Sequence, residues 1–255
     1  MAATTTANED GAWIRRFHPG PQDGPRLVCF PHAGGSASFY HPLSATLAPF
    51  TETLTVQYPG RQDRRAEPPA TTIEELADRA FAALRPWADR RLALFGHSMG
   101  ALVAYEVARR LEERTGTPPT VLVASGRRAP SIHRPETAHA RDDAGLLAEL
   151  RRLSGTDESL LGDEEIQRMI LPALRADYAA LDSYRFTGPR SLSCPVTVLY
   201  GDRDPVTSAA DARAWEFHTT GPFDLQAFPG GHFYLAQNQS AVSGAISRAL
   251  QATRT

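Results

Sequence analysis

Ser98 stands in a segment whose residue types and spacing could carry out nucleophilic chemistry. Residues 96–100 read Gly-His-Ser-Met-Gly, after an apolar strand-like run, Leu92–Phe95, and at the start of a helical pattern, Met99–Thr115. A glycine on each side of the serine permits a sharp, strained turn in which the backbone passes too close for a Cβ atom. The pattern therefore predicts Ser98 as a nucleophile, with the N–H of Met99 at the helix N-terminus as a donor to an oxyanion.

A serine hydroxyl needs a base, and the histidines late in the chain are the candidates. His232 lies in a glycine-rich loop directly after the last strand-like run, Phe223–Phe228. His218 follows a helix-like run and is predicted at the surface. His97 is adjacent to Ser98 on a tight turn and is expected to pack against the site. We therefore predict His232 as the base.

Two carboxylates after the strand-like run Val196–Tyr200 compete for the role of the acid. Residues 201–205 read Gly-Asp-Arg-Asp-Pro. Asp204 is the prediction, because the third residue after the glycine is the usual position of the acid and Pro205 then fixes the loop exit. Asp202 could instead cap the turn. The acid would hold the histidine in the right tautomer and stabilise its protonated form.

A second oxyanion donor is expected in the glycine-rich turn after the first strand-like run, Arg26–Phe30. Residues 31–35 read Pro-His-Ala-Gly-Gly, and we assign the donor to the N–H of Ala33. The alternative is a phosphate-binding loop, which the absence of Gly-Lys-Ser/Thr and Gly-x-Gly-x-x-Gly motifs disfavours. His32 could serve the site or bridge neighbouring loops.

Strand-like and helix-like runs alternate along the chain and must position these residues. The alternation predicts an α/β fold with a mostly parallel sheet and helices on both faces. Residues 141–186 read as helical without a strand, which predicts a helical lid over the carboxyl edge of the sheet; Pro172 should kink or split its second helix. We predict a disordered tail over residues 1–12 and one domain over residues 13–255.

Composition narrows the possible partners. The net charge is −2, from 27 basic and 29 acidic residues, so neither nucleic acid nor a membrane surface is an expected partner. Cys29 and Cys194 form neither a disulfide framework nor a metal-ligand spacing. The chain carries neither an apolar run of membrane length nor a signal-peptide pattern. We therefore expect a cytoplasmic protein, a monomer, without a metal or bound cofactor.

Together these motifs resemble the type II thioesterases, stand-alone editing hydrolases of polyketide and nonribosomal peptide synthesis with the α/β-hydrolase fold. The resemblance runs from about Trp13 to Leu250. It rests on Phe30-Pro31-His32-Ala33-Gly34-Gly35, Tyr58-Pro59-Gly60-Arg61, Gly96-His97-Ser98-Met99-Gly100-Ala101, Gly201-Asp202-Arg203-Asp204 and Gly230-Gly231-His232-Phe233.

That resemblance implies hydrolysis of short or aberrant acyl groups from the phosphopantetheine arm of acyl or peptidyl carrier proteins, without a cofactor. The implied triad is Ser98, His232 and Asp204, and the implied oxyanion donors are the backbone N–H groups of Ala33 and Met99.

Three other functions remain open. The same triad could serve a general carboxylesterase or peptidase, or an acyltransferase with an acceptor other than water. A binding protein on a hydrolase scaffold is disfavoured, because the triad is complete.

Arg61, Arg64 and Arg65 form a basic cluster that could meet an acidic carrier protein, or could be an ordinary solvated loop.

Overall fold

Seven strands form one sheet in the computed structural model, which describes residues 12–135, 137–153, 163–188 and 191–253. Across the sheet their order is β1-β3-β2-β4-β5-β6-β7; β1 runs antiparallel to β3, and the other neighbouring pairs are parallel. In chain order they are β1 (Ile14–Arg15), β2 (Arg26–Phe30), β3 (Thr53–Val56), β4 (Leu92–His97), β5 (Leu122–Ser125), β6 (Val196–Gly201) and β7 (Phe223–Phe228). The predicted mostly parallel α/β sheet is confirmed, and β1 is an addition that is too short to show a pattern in the sequence.

Helices connect the strands, as the alternation predicted. The α-helices are α1 (His41–Leu47), α2 (Ile73–Leu84), α3 (Met99–Thr115), α4 (Asp143–Leu153), α5 (Glu164–Ser183), α6 (Ala209–Arg213), α7 (Tyr234–Gln237) and α8 (Gln239–Gln251). Short 3-10 helices cover Ala37–Tyr40, Gln62–Arg64, Arg85–Trp87, Thr137–Ala140 and Ala214–His218.

The sheet separates two apolar clusters because successive strand residues point to opposite faces. Val28 and Leu94 belong to the cluster that includes residues of α2 and α3, whereas Phe95 belongs to the other cluster. That second cluster includes Leu47 of α1 and Ile246 of α8. Burial on both faces explains why the central strands read as continuous apolar runs.

The carboxyl ends of the parallel strands meet at one edge of the sheet. In the ladder, Phe30 of β2 pairs with Gly96 of β4, and His97 of β4 pairs with Ser125 of β5. Gly201 of β6 pairs with the last residue of β7. The loops that follow β2, β4, β6 and β7 therefore emerge side by side, and a ligand site is expected at such an edge.

A helical insertion lies between β5 and β6 and comprises Thr137–Ala140, α4 and α5. Its second helix, α5, continues through Pro172, so the helix is not split there, and the alternative prediction of a kink stays a prediction. Proline removes one backbone hydrogen bond, but buried residues such as Leu171 and Leu174 hold the inner face of the helix against the body.

Two further predictions concern the chain ends and membranes. The predicted tail, residues 1–12, lies outside the described residues except for Ala12. Within the described ranges, the helices lack the length and apolar character needed to cross a membrane.

Candidate active site

Ser98 occupies the sharp turn between β4 and α3 that its flanking glycines predicted. Its φ is +55°, a left-handed value that is strained for a residue with a side chain, and its N–H donates to the carbonyl of Ser125 at 2.8 Å. A Cβ atom on Gly96 would lie 2.0 Å from the Gly100 carbonyl oxygen, and one on Gly100 would lie 2.0 Å from that of Phe30. Glycine is therefore required on both sides of the serine.

The structure brings Ser98, His232 and Asp204 into one hydrogen-bonded chain. The Nε2 atom of His232 lies 2.9 Å from the Ser98 hydroxyl, and its Nδ1 atom lies 2.9 Å from a carboxylate oxygen of Asp204. Because a carboxylate only accepts, the Nδ1 atom carries the proton and Nε2 is free to accept the serine proton. This arrangement is that of a nucleophile, a base and the acid that orients it.

Asp204, and not Asp202, is the carboxylate that meets the histidine. The side chain of Asp204 is fully buried, and its second oxygen accepts the Val206 N–H at 2.9 Å. Asp202 is more than half exposed, and one of its oxygens accepts the N–H of Gly230 at 2.9 Å. It therefore fastens the loop that carries His232, as a turn cap would.

The two predicted oxyanion donors lie at the ends of neighbouring strands. Met99 is the first residue of α3, directly after Ser98, and Ala33 follows β2, which is paired with β4. Two hydrogen bonds hold the loop of residues 33–35. The N–H of Gly35 donates to the carbonyl of His32 at 2.9 Å, and the N–H of Gly34 donates to the Asp177 carboxylate at 2.7 Å. The oxyanion role of these two N–H groups stays a prediction.

Two further histidines, His97 and His32, lie close to His232. The ring centroid of His97 lies 5.1 Å from that of His232, and its Nδ1 atom is 2.9 Å from the Ser125 hydroxyl, which lies 2.6 Å from the Tyr234 hydroxyl. Burial lowers the pKa of His97 well below its usual range, and burial together with His232 lowers the pKa of His32 to about 3. Both neighbours are therefore neutral at pH 7 and add no positive charge beside the base.

His218 does not lie at the surface, so that prediction is wrong. Its ring is fully buried, with Nδ1 3.2 Å from the Tyr105 hydroxyl and Nε2 2.9 Å from the Ser131 hydroxyl. The 3-10 helix that carries His218 turns inwards, where its neighbour Trp215 is also buried. The role of His218 is thus to fill the core.

The basic cluster expected from Arg61, Arg64 and Arg65 is not a surface feature. Arg61 and Arg64 are buried, and they pair with Asp177 and Glu67 respectively, so that only Arg65 is exposed. No motif in the sequence pointed to Asp177, because it lies 116 residues from Arg61 on an ordinary amphipathic helix. The Arg61–Asp177 ion pair therefore lies inside the protein, and Arg61 is not available to contact a carrier protein.

The two cysteines are not competing nucleophiles at neutral pH. Burial raises the pKa of the Cys194 thiol to about 12, and it raises that of Cys29 too, so neither thiolate forms near pH 7. Within the described residues, His, Cys, Asp and Glu form no group of three or more that could hold a metal ion.

Comparison with known proteins agrees with this geometry. Residues 25–250 match the family model described as "Thioesterase domain". The chain is 53% identical over 247 residues to "Thioesterase PikA5" of Streptomyces venezuelae, covering 96% of this chain and 88% of that protein.

Two solved structures are similar throughout. The type II thioesterase BorB of the borrelidin biosynthetic cluster is 50% identical, with a TM-score of 0.88 over 94% of this chain and 98% of BorB. RedJ, the thioesterase of the prodiginine pathway in Streptomyces coelicolor, is 36% identical, with a TM-score of 0.85 over 91% of this chain and 93% of RedJ. The resemblance seen in the motifs is therefore confirmed: the chain belongs to the thioesterase family, as a type II editing thioesterase of polyketide and nonribosomal peptide pathways.

Proposed function

We propose that this thioesterase hydrolyses short or aberrant acyl groups from the phosphopantetheine arm of acyl or peptidyl carrier proteins, with Ser98, His232 and Asp204 as its triad. The observation that carries the mechanism is the chain of two 2.9 Å hydrogen bonds from Ser98 through His232 to the buried Asp204. The type II family of the chain supports the carrier-bound substrate.

Acylation begins when the Ser98 Oγ atom attacks the thioester carbonyl carbon and its proton passes to Nε2 of His232. The carbonyl oxygen becomes an oxyanion, which the N–H groups of Ala33 and Met99 hold. When the tetrahedral intermediate collapses, the carbon–sulfur bond breaks and the thiolate takes the proton from His232. The carrier leaves with a free thiol, and the acyl group stays on Ser98 as an ester.

Deacylation repeats the sequence with water. His232 takes a proton from water, the hydroxide attacks the acyl ester, and the same two N–H groups hold the second oxyanion. His232 then returns the proton to the Ser98 oxygen as the acid departs. Asp204 keeps the proton on Nδ1 throughout and stabilises the imidazolium formed twice in each turnover.

The helical insertion is the proposed lid of this site. Leu174 of α5 packs over the loop after β2, where a Cβ atom on Gly34 would lie 2.8 Å from its side chain. Water exclusion above the sheet edge would strengthen the hydrogen bonds to the oxyanion. The cytoplasmic location and the monomeric state stay predictions.

The decisive experiment compares one acyl group in two linkages. A butyryl group on a phosphopantetheinylated carrier protein should be released at least tenfold faster, by kcat/KM, than the same group in a simple oxygen ester. Ser98→Ala is the control variant and should release neither. Equal or faster ester cleavage would instead identify a general carboxylesterase.

Two additions to the same assay test for acyl transfer and for a binding protein without activity. Mass spectrometry of the products should show free butyrate, even when amine and alcohol acceptors are present; transfer to an acceptor would identify an acyltransferase. A fluorophosphonate should label wild-type Ser98, whereas an unlabelled and inactive wild type would identify a binding protein.

A further inference from the structure

A buried carboxylate on the proposed lid contacts the oxyanion loop, which is the loop of residues 33–35. Asp177 of α5 is fully buried, and its Oδ2 atom accepts both the backbone N–H of Gly34, at 2.7 Å, and a guanidinium N–H of Arg61. Arg61 also donates to the carbonyl of Pro59 at 2.7 Å and lies 5.1 Å above the ring of Tyr58. One side chain therefore joins the insertion to the loops that follow β2 and β3.

The same helix touches Gly34 at a second point. Leu174 lies about one turn before Asp177 on α5, and its Cδ1 atom would be 2.8 Å from a Cβ atom on Gly34. Gly34 has a φ of +72°, which glycine adopts without strain. Close packing by Leu174 and the hydrogen bond that the Gly34 N–H donates to the Asp177 carboxylate thus fix one peptide of the oxyanion loop.

Orientation of this loop matters for the proposed chemistry, because Ala33 and Gly34 are consecutive. The N–H of Ala33 and the N–H of Gly34 belong to successive peptides that are joined at the Cα atom of Ala33. Holding the Gly34 peptide therefore restricts the φ and ψ of Ala33, and with them the direction of the Ala33 N–H. A hydrogen bond to a charged acceptor is roughly twice as strong as one between neutral groups. Such a bond favours one orientation of the loop among several that the two glycines would otherwise permit.

The burial of the carboxylate also limits how this contact can change. Burial raises the pKa of Asp177, and the Arg61 guanidinium and the Gly34 N–H oppose that rise. An ionised carboxylate in this position needs both partners, because a buried charge without a partner is strongly destabilising. Movement of α5 away from the sheet edge would therefore remove Asp177 from the oxyanion loop and from Arg61 together.

We propose that Asp177 is a positioning residue for catalysis: its carboxylate holds the oxyanion loop so that the Ala33 N–H faces the oxyanion. Oxyanion stabilisation then depends on the seating of α5, which links the state of the insertion to the chemistry at Ser98. This inference rests on the proposed roles of Ala33 and Ser98.

The chain offers a matched control on the same helix segment. The hydroxyl of Tyr184, the residue that directly follows α5, donates to Glu106 of α3 at 2.9 Å. Glu106 also accepts from Arg109 and Arg110, so Tyr184→Phe leaves it paired. Tyr184→Phe thus removes one buried hydrogen bond between α5 and the body without touching the oxyanion loop.

The test measures steady-state hydrolysis of a small thioester, butyryl-N-acetylcysteamine, by Asp177→Ala, Asp177→Asn and Tyr184→Phe. Loss of an oxyanion donor typically lowers kcat by about 10²–10³-fold. We expect a loss of about 10²-fold in kcat for Asp177→Ala, with KM within about threefold. Asp177→Asn should lose less than Asp177→Ala but still more than about threefold, because its amide oxygen accepts the Gly34 N–H only as a neutral and weaker acceptor. Tyr184→Phe should keep kcat within about twofold.

A pH profile separates positioning from general damage to the fold. The Ser98, His232 and Asp204 hydrogen bonds are untouched in these variants, so the apparent pKa in the kcat/KM profile should equal that of the wild type. Circular dichroism melting identifies the variants that are folded at the assay temperature. A shifted apparent pKa in folded Asp177→Asn would mean that the triad itself is disturbed, which overturns the proposal.

Two further results would also overturn it: a kcat within about twofold of wild type in folded Asp177→Ala, or an equal loss in Tyr184→Phe. If Asp177→Ala does not fold, Asp177→Asn decides, and an unchanged kcat there refutes the positioning role. The small thioester keeps this test apart from the proposed function, since a wild type that cleaves it but not acyl-carrier proteins refutes only the carrier-bound substrate.

Discussion

Replacing Asp204 by asparagine tests the triad with almost no change of shape. In the structure, Oδ1 of Asp204 accepts the N–H of Val206 at 2.9 Å, and Oδ2 faces Nδ1 of His232 at 2.9 Å. The asparagine oxygen must keep the bond to Val206, so its NH₂ group turns towards His232. An NH₂ group donates, and His232 therefore places its proton on Nε2, opposite the Ser98 hydroxyl. The serine then has no base.

The expected loss of kcat in Asp204→Asn follows from the wrong tautomer of His232. A triad forced into that tautomer by the corresponding Asp→Asn change loses about 10⁴-fold in kcat. This loss corresponds to about 5.4 kcal/mol of transition-state stabilisation. The side chain of Asp204 is fully buried, so water is poorly placed to restore the bond to His232. Asp204→Asn should therefore lower kcat by 10³-fold or more, on the order of that limit.

Asp202→Asn is the matched control in the same loop. Its amide oxygen can still accept the N–H of Gly230, so kcat should stay within about threefold of wild type. Stopped-flow release of a chromogenic thiol from a thioester substrate measures both variants, and melting curves verify that each is folded. Equal losses in the two variants, or a larger loss in Asp202→Asn, would refute the assignment of the acid to Asp204.

Three further predictions concern the nucleophile, the turn and the response to acid. Ser98→Ala should abolish turnover while its circular dichroism spectrum stays native. Turnover at the wild-type rate in this variant would refute the role of Ser98 as the nucleophile. Gly100→Ala should prevent folding, because its Cβ would lie 2.0 Å from the Phe30 carbonyl, whereas Gly116→Ala, in open space, should cost only about 1 kcal/mol in urea denaturation; equal effects would refute the close approach. Burial lowers the pKa of His97, so below about pH 6.5 the unfolded chain takes up a proton at His97 that the folded chain does not bind. The free energy of unfolding therefore falls as the pH falls. The free energy of unfolding should drop by roughly 1.5 kcal/mol more between pH 6.5 and 5 in wild type than in His97→Gln, and parallel pH profiles would refute this.

The features that sequence could predict have a local cause. The turn at Ser98 requires glycine on both sides because of the backbone of its own segment and of β2, and that requirement is visible as Gly-x-Ser-x-Gly. Three of the strands that carry the site, β2, β4 and β6, are buried along almost their whole length and appear as apolar runs. The fourth, β7, is only partly buried and mixes polar with apolar residues. The order of Ser98, Asp204 and His232 along the chain then placed the predicted site at one sheet edge.

The features that sequence could not predict depend on contacts between distant segments. His218 was predicted at the surface because it follows a helix-like run, and the residues that enclose it, Tyr105 and Ser131, are 113 and 87 residues away. Arg61 looked like a free cation because its partner is 116 residues away. The strand β1 has only two residues, so its pairing with β3 leaves no periodicity to detect.

The same distinction explains why a motif is an incomplete description of the oxyanion loop. Its two glycines make the sharp turn possible, but the freedom that permits this turn permits others as well. The orientation of the loop must therefore be selected from outside it, and Asp177 and Leu174 are the residues of α5 that contact Gly34. Because the Asp177 charge also needs Arg61, detachment of α5 would release the oxyanion loop and leave a buried cation unpaired. The insertion and the oxyanion loop are thus expected to change conformation together.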